Sequence, residues 1–199
     1  MNEALTIDLF AEDRAHEEFL KAVVRRLARE AGRDIALAVR SARGGHGRAL
    51  TEYEAYQKSV LRGIGGLRLP DLACVAIDAN CQRFVAATKA IVDGTLDAFK
   101  NRIAMACPDP HIERWYLADP DSFCQVVGVR PKVTKRKCER FLYKRELARA
   151  VTDGGHPRTL GGIEFAADLV AAMDFYRAGK NEPSLRHFIE AVMQRFRQP

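Results

Sequence analysis

Apolar and polar positions alternate through LTIDLFAE, where Leu5, Ile7 and Leu9 share one side of the period before Phe10 and Ala11, and the pattern predicts a strand. Asp13 stands where a helix cap belongs, Leu20, Val23, Val24 and Leu27 then recur at helical spacing, and Gly32 supplies the stop. DIALAVRSA returns to alternation through Ile35, Leu37 and Val39, a second strand that RGGHG breaks. A helix is expected from about Leu50 to Arg62, and GIGGLRLPD reads as loop. LACVAIDAN is different, because it is apolar at nearly every position up to Asp78; that is the pattern of a strand covered on both faces, as in parallel sheets. Residues 81–100 carry a helical pattern with a weak point at Gly94, and RIAMACP is a short fourth strand ended by Pro108.

Strand and helix thus alternate down the first two thirds, which predicts an α/β fold with a mostly parallel four-stranded sheet flanked by helices. The last third changes character. A basic segment is read as helical, TDGGHPRTLGG as a turn, and residues 163–177 and 185–197 as two helices. The second of these carries Leu185, Phe188, Ile189, Val192, Met193 and Phe196 as one apolar stripe, most simply packed on the sheet. The expected organisation is an α/β domain over 1–128 and a basic, helical C-terminal extension over 129–199 packed on it.

At 199 residues with 47% hydrophobic and 29% charged content, the chain has the make-up of an ordinary globular protein, which excludes long disorder. No basic-then-apolar leader opens MNEALTIDLFAED, and no run of about 18 apolar residues occurs, so a cytoplasmic protein without membrane contact is expected. Cys74, Cys81, Cys107, Cys124 and Cys138 are odd in number and form no C-x-x-C pair, which favours reduced thiols over disulfides or zinc. AHEEFL begins like a zinc-protease helix, but Leu20 stands where the second histidine would be needed.

Charge is where the composition becomes specific. Lys132, Lys135, Arg136, Lys137, Arg140, Lys144, Arg145 and Arg149 face only Glu139 and Glu146 between residues 132 and 149, so this segment carries the whole net charge of +6. Such a cluster is the footprint of a nucleic-acid contact, since basic side chains displace counterions from phosphates; a solvated helix face is the alternative. Lys132, Lys135, Arg136, Lys137 and Arg140 are the candidate nucleic-acid-binding residues.

Ligands of open α/β sheets bind beyond the carboxyl ends of the strands. Glu12 ends the first strand there, and Asp78 with Asn80 end the third. Residues two apart on a strand point the same way, so Asp78 and Asn80 could share one task, and oxygen ligands so gathered suit Mg²⁺ or Mn²⁺. Asn80 is also a good N-cap for a helix starting at Cys81, and Glu12 with Asp13 could simply favour the positive end of the first helix. His46 and His156 lie in glycine-rich turns, and Trp115 is a core candidate.

A strand ending in glutamate, a helix, and a later buried strand ending in D-x-D resembles the TOPRIM domain shared by topoisomerases, bacterial primases and the overcoming-lysogenization-defect nucleases. FAEDRAHEEFL, RGGHGRAL, VAIDANCQRF and CPDPHIERWYLADPDSF extend the resemblance over about residues 5–125, towards small bacterial TOPRIM-like proteins encoded beside an ATPase in phage-defence gene sets. The resemblance implies a Mg²⁺- or Mn²⁺-dependent nuclease acting on DNA or RNA, the effector of a defence system with an ATPase partner. It makes Glu12 a metal ligand or general base and Asp78 a metal ligand. Asn80 replaces the second aspartate of D-x-D, which implies weaker metal binding or one ion in place of two. His16 stands where related nucleases place a second acidic residue, and it favours Mn²⁺ over Mg²⁺. Glu113, after the fourth strand, is the further acidic candidate for catalysis, with Asp119 and Asp121 behind it. The contrasting expectation is a degenerate TOPRIM module that binds nucleic acid or regulates a partner without cutting.

Overall fold

The computed structural model describes residues 4–41, 46–80, 82–134, 136, 138–139, 141–157 and 159–198. Four strands, β1 (Leu5–Ala11), β2 (Ile35–Ser41), β3 (Leu72–Ala76) and β4 (Ile103–Ala106), form one sheet in the order β2-β1-β3-β4. Every pairing is parallel, with Ile7 opposite both Leu37 and Leu72, and Ala73 opposite Ile103. The fold is therefore α/β, and the sheet is wholly parallel.

Between β1 and β2 runs α1 (Arg14–Glu30); α2 (His46–Leu61) and a 3-10 turn at Ile64–Gly66 connect β2 to β3; α3 (Phe84–Asp93) and a second 3-10 segment, Asp97–Arg102, lead to β4. Beyond the sheet come α4 (Glu113–Tyr116), α5 (Pro120–Val127), α6 (Leu142–Asp153), α7 (Ala166–Ala172), α8 (Phe175–Asn181) and α9 (Pro183–Arg197).

Strand periodicity decides which core each residue joins. Ile7 and Leu9 of β1, Leu72, Cys74 and Ala76 of β3, and Ala104 and Ala106 of β4 face one core, with Phe19, Leu20, Val23 and Val24 of α1. Phe10, Ala73 and Val75 face the other, with Tyr53 and Tyr56 of α2 and Ile91 of α3. The unbroken apolar run of β3 is thus explained: helices cover it on both sides. Leu147, Val151, Leu169, Phe188 and Val192 of the C-terminal segment join the first core. Phe188 stacks on Trp115 at 6.0 Å, and Trp115 Nε1 donates to Ser184 Oγ at 2.9 Å.

Several local expectations are corrected. Helix α3 starts at Phe84 with Arg83 as its N-cap, so Asn80 does not cap it; the helix expected over 81–100 ends at Gly94, its weak point, and Asp97–Arg102 is a separate 3-10 segment. Residues 163–177 are not one helix. The chain turns at Met173 and Asp174, whose carboxylate caps α8 by accepting from the N–H groups of Tyr176 and Arg177. Among the described residues of the basic segment, helix begins at Leu142, after Phe141 takes a left-handed φ of 64°. Cys138 is disulfide-bonded, against the expectation of reduced thiols throughout, whereas Cys74, Cys107 and Cys124 are free. Among the described residues no helix is long and apolar enough to cross a membrane.

Candidate metal centre

The site grows from the carboxyl ends of β1 and β3, which the register Ala11 opposite Ala76 brings side by side. Glu12 follows β1 directly, and its Oε2 accepts the backbone N–H of Asp78 at 3.0 Å. Asp13 then caps α1 by accepting from the N–H of His16 at 3.0 Å, and that cap sets the first helical turn so that the His16 ring swings inward. Past β3 the chain runs alongside the segment that follows β4. Ile77 N–H donates to Ala106 O at 3.1 Å, Ala79 N–H to Pro108 O at 2.8 Å, and Asn80 N–H to Pro110 O at 2.9 Å. Asp78 is thereby carried to His111 and Ile112.

Three donors converge on the Asp78 carboxylate. His16 Nε2 lies 3.1 Å from Oδ1, the Ile112 N–H donates to Oδ1 at 2.9 Å, and His111 Nδ1 lies 3.0 Å from Oδ2. The other nitrogen of His16, Nδ1, lies 2.8 Å from Asp13 Oδ1. Donor atoms of Glu12, His16 and Asp78 all fall within 4.8 Å of one another, close enough to share one cation. Two carboxylates and one imidazole form a donor set suited to Mn²⁺ and acceptable to Mg²⁺.

Electrostatics follow from this packing. Burial opposes a charge on His16, but Asp78 and Asp13 on its two nitrogens raise its pKa well above 6.5. Burial alone would likewise raise Asp78; the charge of His16 and the hydrogen bond from His111 lower it instead. Asp13, against its own desolvation, is held down to about 2 by His16. His111 is raised first by its hydrogen bond to Asp78. Glu113, two residues beyond His111, is raised by burial and by the nearby Asp78 charge, the state of a carboxyl suited to proton transfer.

Of the residues expected from the sequence, Glu12, His16 and Asp78 are thus brought together, and Glu113, at the start of α4, is near enough to feel the charges of Asp78 and His16. Asn80 stands differently. Strand alternation ends at Ala76, Asn80 adopts a left-handed φ of 51°, and its Nδ2 faces the Asp78 carbonyl at 3.4 Å. Asp119 is a structural anchor: its carboxylate accepts from Arg177, from Ser122 and from the Asp174 N–H. Asp121 pairs with Arg130 at the surface. His156 Nε2 donates to Val127 O at 3.1 Å, and the ring packs edge-on against Phe165.

Of the basic residues, Arg136 Nε donates to Asp109 Oδ1 at 2.7 Å, in the loop between β4 and His111, so it borders the site. Lys132 lines a cavity against α6. Lys135, Lys137 and Arg140 lie outside the described residues. His111 was not singled out from the sequence. Its only signal was position, immediately after the CPDP turn that closes the fourth strand, because its contact with Asp78 depends on how two loops align.

No family model, no curated protein and no solved structure matches this chain.

Proposed function

We propose that the protein is a TOPRIM-type nuclease that hydrolyses phosphodiester bonds of DNA or RNA with Mg²⁺ or Mn²⁺, working as the effector of an anti-phage defence system with an ATPase partner. The observation that supports this reading is the convergence of Glu12, His16 and Asp78 donor atoms within 4.8 Å at the carboxyl ends of two adjacent parallel strands. These residues would hold a cation, which would supply an activated water and offset charge on the phosphate. Glu12 and Asp78 would hold the cation, with His16 as the third ligand. Glu113, its carboxyl raised by burial, takes or returns a proton. His111 and the Ile112 N–H orient Asp78. Arg136 at the rim and Lys132 on the α6 side are placed to hold phosphates of the strand.

A second reading has its own observation. The Asp78 carboxylate is already met by three protein donors, so the cluster is closed without a cation, as a catalytically degenerate module that binds nucleic acid or regulates a partner would have it. The two are separated by incubating the purified protein with supercoiled plasmid and with tRNA in Mg²⁺, in Mn²⁺ and in EDTA, beside Glu12→Gln and Asp78→Asn. Metal-dependent cutting lost in both variants is the expected result. No cutting with or without an ATPase partner, together with an intact cellular phenotype in Glu12→Gln, would rule the nuclease out; weaker nucleic-acid binding in Arg136→Ala would then support the binding module.

A further inference from the structure

Away from the Asp78 cluster, α6 and residues 129–134 border an open cavity of about 320 Å³, lined in part by Lys132, Thr134, Glu146 and Arg149. Its wall holds the one buried side-chain oxygen that has no hydrogen-bond partner among the described residues, Oε2 of Glu146. The other oxygen, Oε1, accepts the Thr134 hydroxyl. A carboxylate offers about four acceptor positions, so Glu146 keeps most of its capacity unused, and a buried acceptor without a donor is a standing cost that a ligand can remove. Terminal carboxylate torsions are broad, so a small turn of the group presents Oε2 to the cavity.

The cavity also carries positive charge. Lys132 makes no ion pair among the described residues. Arg149, largely exposed, pairs with Asp153 at 3.6 Å without a hydrogen bond; Asp153 and Arg130 line the cavity as well, so its basic side chains outnumber its acidic ones by three to two. An occupant must therefore bring adjacent N–H donors for Glu146 and an anion for Lys132 and Arg149, within the space of a single base and its sugar.

We propose that this cavity is a guanine-nucleotide subsite, in which Glu146 accepts the N1–H and N2–H of the base while Lys132 and Arg149 bind phosphate. Guanine alone among the common bases presents two adjacent donors. Uracil and thymine flank one N–H with two carbonyls, which repel an acceptor-only carboxylate; adenine and cytosine set an amine beside a ring acceptor. The subsite is also connected to the metal centre. Tyr143, one helical turn before Glu146 on α6, has its ring 6.3 Å from that of His111, which holds Asp78. A strand with a phosphate at Asp78 could thus place a nearby base in the cavity; that extension rests on the nuclease reading, whereas the nucleotide site itself does not.

The test is calorimetric titration of the protein in EDTA with GMP, IMP, AMP and UMP. GMP should bind at least tenfold more tightly than UMP, and IMP, which lacks the N2 amine, should fall well below GMP. Glu146→Gln, checked for an unchanged melting profile, should erase the preference, and Lys132→Ala should weaken all four alike. Single-stranded thymine oligonucleotides with and without one guanine identify the source: a guanine preference there points to a strand, and one confined to GMP points to a free nucleotide. Equal binding of GMP and UMP, equal binding of GMP and IMP, or a preference that survives in folded Glu146→Gln would overturn the proposal. Because metal is absent, none of these outcomes depends on whether the protein cuts.

Discussion

His16 Nε2 stands 3.1 Å from Asp78 Oδ1, and the ring is fully buried. With Asp13 on its other nitrogen and His111 on the far oxygen of Asp78, it completes a continuous chain, Asp13–His16–Asp78–His111. His16 therefore has two duties. Under the proposed function its Nε2, once deprotonated, would offer the third ligand atom to a cation shared with Glu12 and Asp78, and in the fold as it stands it neutralises a carboxylate taken out of water.

The second duty predicts the cost of removing it. Truncating one partner of a buried ion pair strands the other charge, so His16→Ala should destabilise the protein by about 3 kcal/mol. Adding Asp78→Asn removes the stranded charge and should recover part of that loss. Urea melts of the two single variants and the double variant provide the check, as a double-mutant cycle. Strict additivity of the two losses would mean that the His16–Asp78 contact contributes nothing.

The first duty predicts linkage between metal and stability. A ligand that binds only the folded state at about 100 times its dissociation constant adds about 2.7 kcal/mol, which for a chain of this size corresponds to a rise in melting temperature of roughly 5–11 °C. Mn²⁺ should produce such a rise, EDTA should reverse it, and Asp78→Asn should abolish it. Mg²⁺ should act more weakly, because the set includes an imidazole. A melting curve indifferent to both ions would leave the cluster as a purely structural one.

What the sequence revealed of this site depended on how local each feature is. Glu12 and Asp78 were visible because they end strands whose apolar pattern is unambiguous: Leu5, Ile7 and Leu9 alternate, and Leu72 to Ala76 are apolar throughout because both faces are covered. The strand alternation expected to align Asn80 with Asp78 does not hold, because the strand ends at Ala76 and the chain beyond it pairs with Pro108 and Pro110. His111 was missed since only the alignment of those two loops aims its ring at Asp78. The break between α7 and α8 did have a local signal, an aspartate before Phe175, but the apolar periodicity on either side of Asp174 masked it. Of the basic segment read as helical, the part from Leu142 onward is helix α6, which starts after the left-handed Phe141.

Among the hydrogen bonds that tie the start of the C-terminal helix to α4, Arg114 to Glu182 and Trp115 to Ser184, the second can be removed without stranding a charge. Trp115 Nε1 is fully buried and donates to Ser184 Oγ at 2.9 Å, next to the start of α9. Ser184→Ala leaves that N–H unmet, a loss of about 1–3 kcal/mol. Trp115→Phe in the same background removes the orphaned donor and should not add the full cost of a second mutation. Denaturant midpoints measure both, and tryptophan emission should shift in Ser184→Ala as the indole loses its partner.

Acid sensitivity should trace in part to Asp119. Its side chain is 1% exposed, and burial alone would raise its pKa; the Arg177 guanidinium, the Ser122 hydroxyl and the Asp174 N–H instead take it from an ordinary 3.8 down to about 2. A carboxyl with a depressed folded-state pKa contributes stability that is complete above its unfolded value and is lost as pH falls through the folded one. The window is therefore about pH 4 to pH 2, and a shift of this size corresponds to about 2 kcal/mol. Asp119→Asn should cost roughly that much at pH 7 and should lose less stability than the parent chain between pH 4 and pH 2. Other depressed carboxylates, Asp13 and Asp78 among them, titrate in both proteins, so the difference between the two stability curves isolates Asp119. Curves that stay parallel through that window would show that the Arg177 contact is not what holds the Asp119 carboxylate charged.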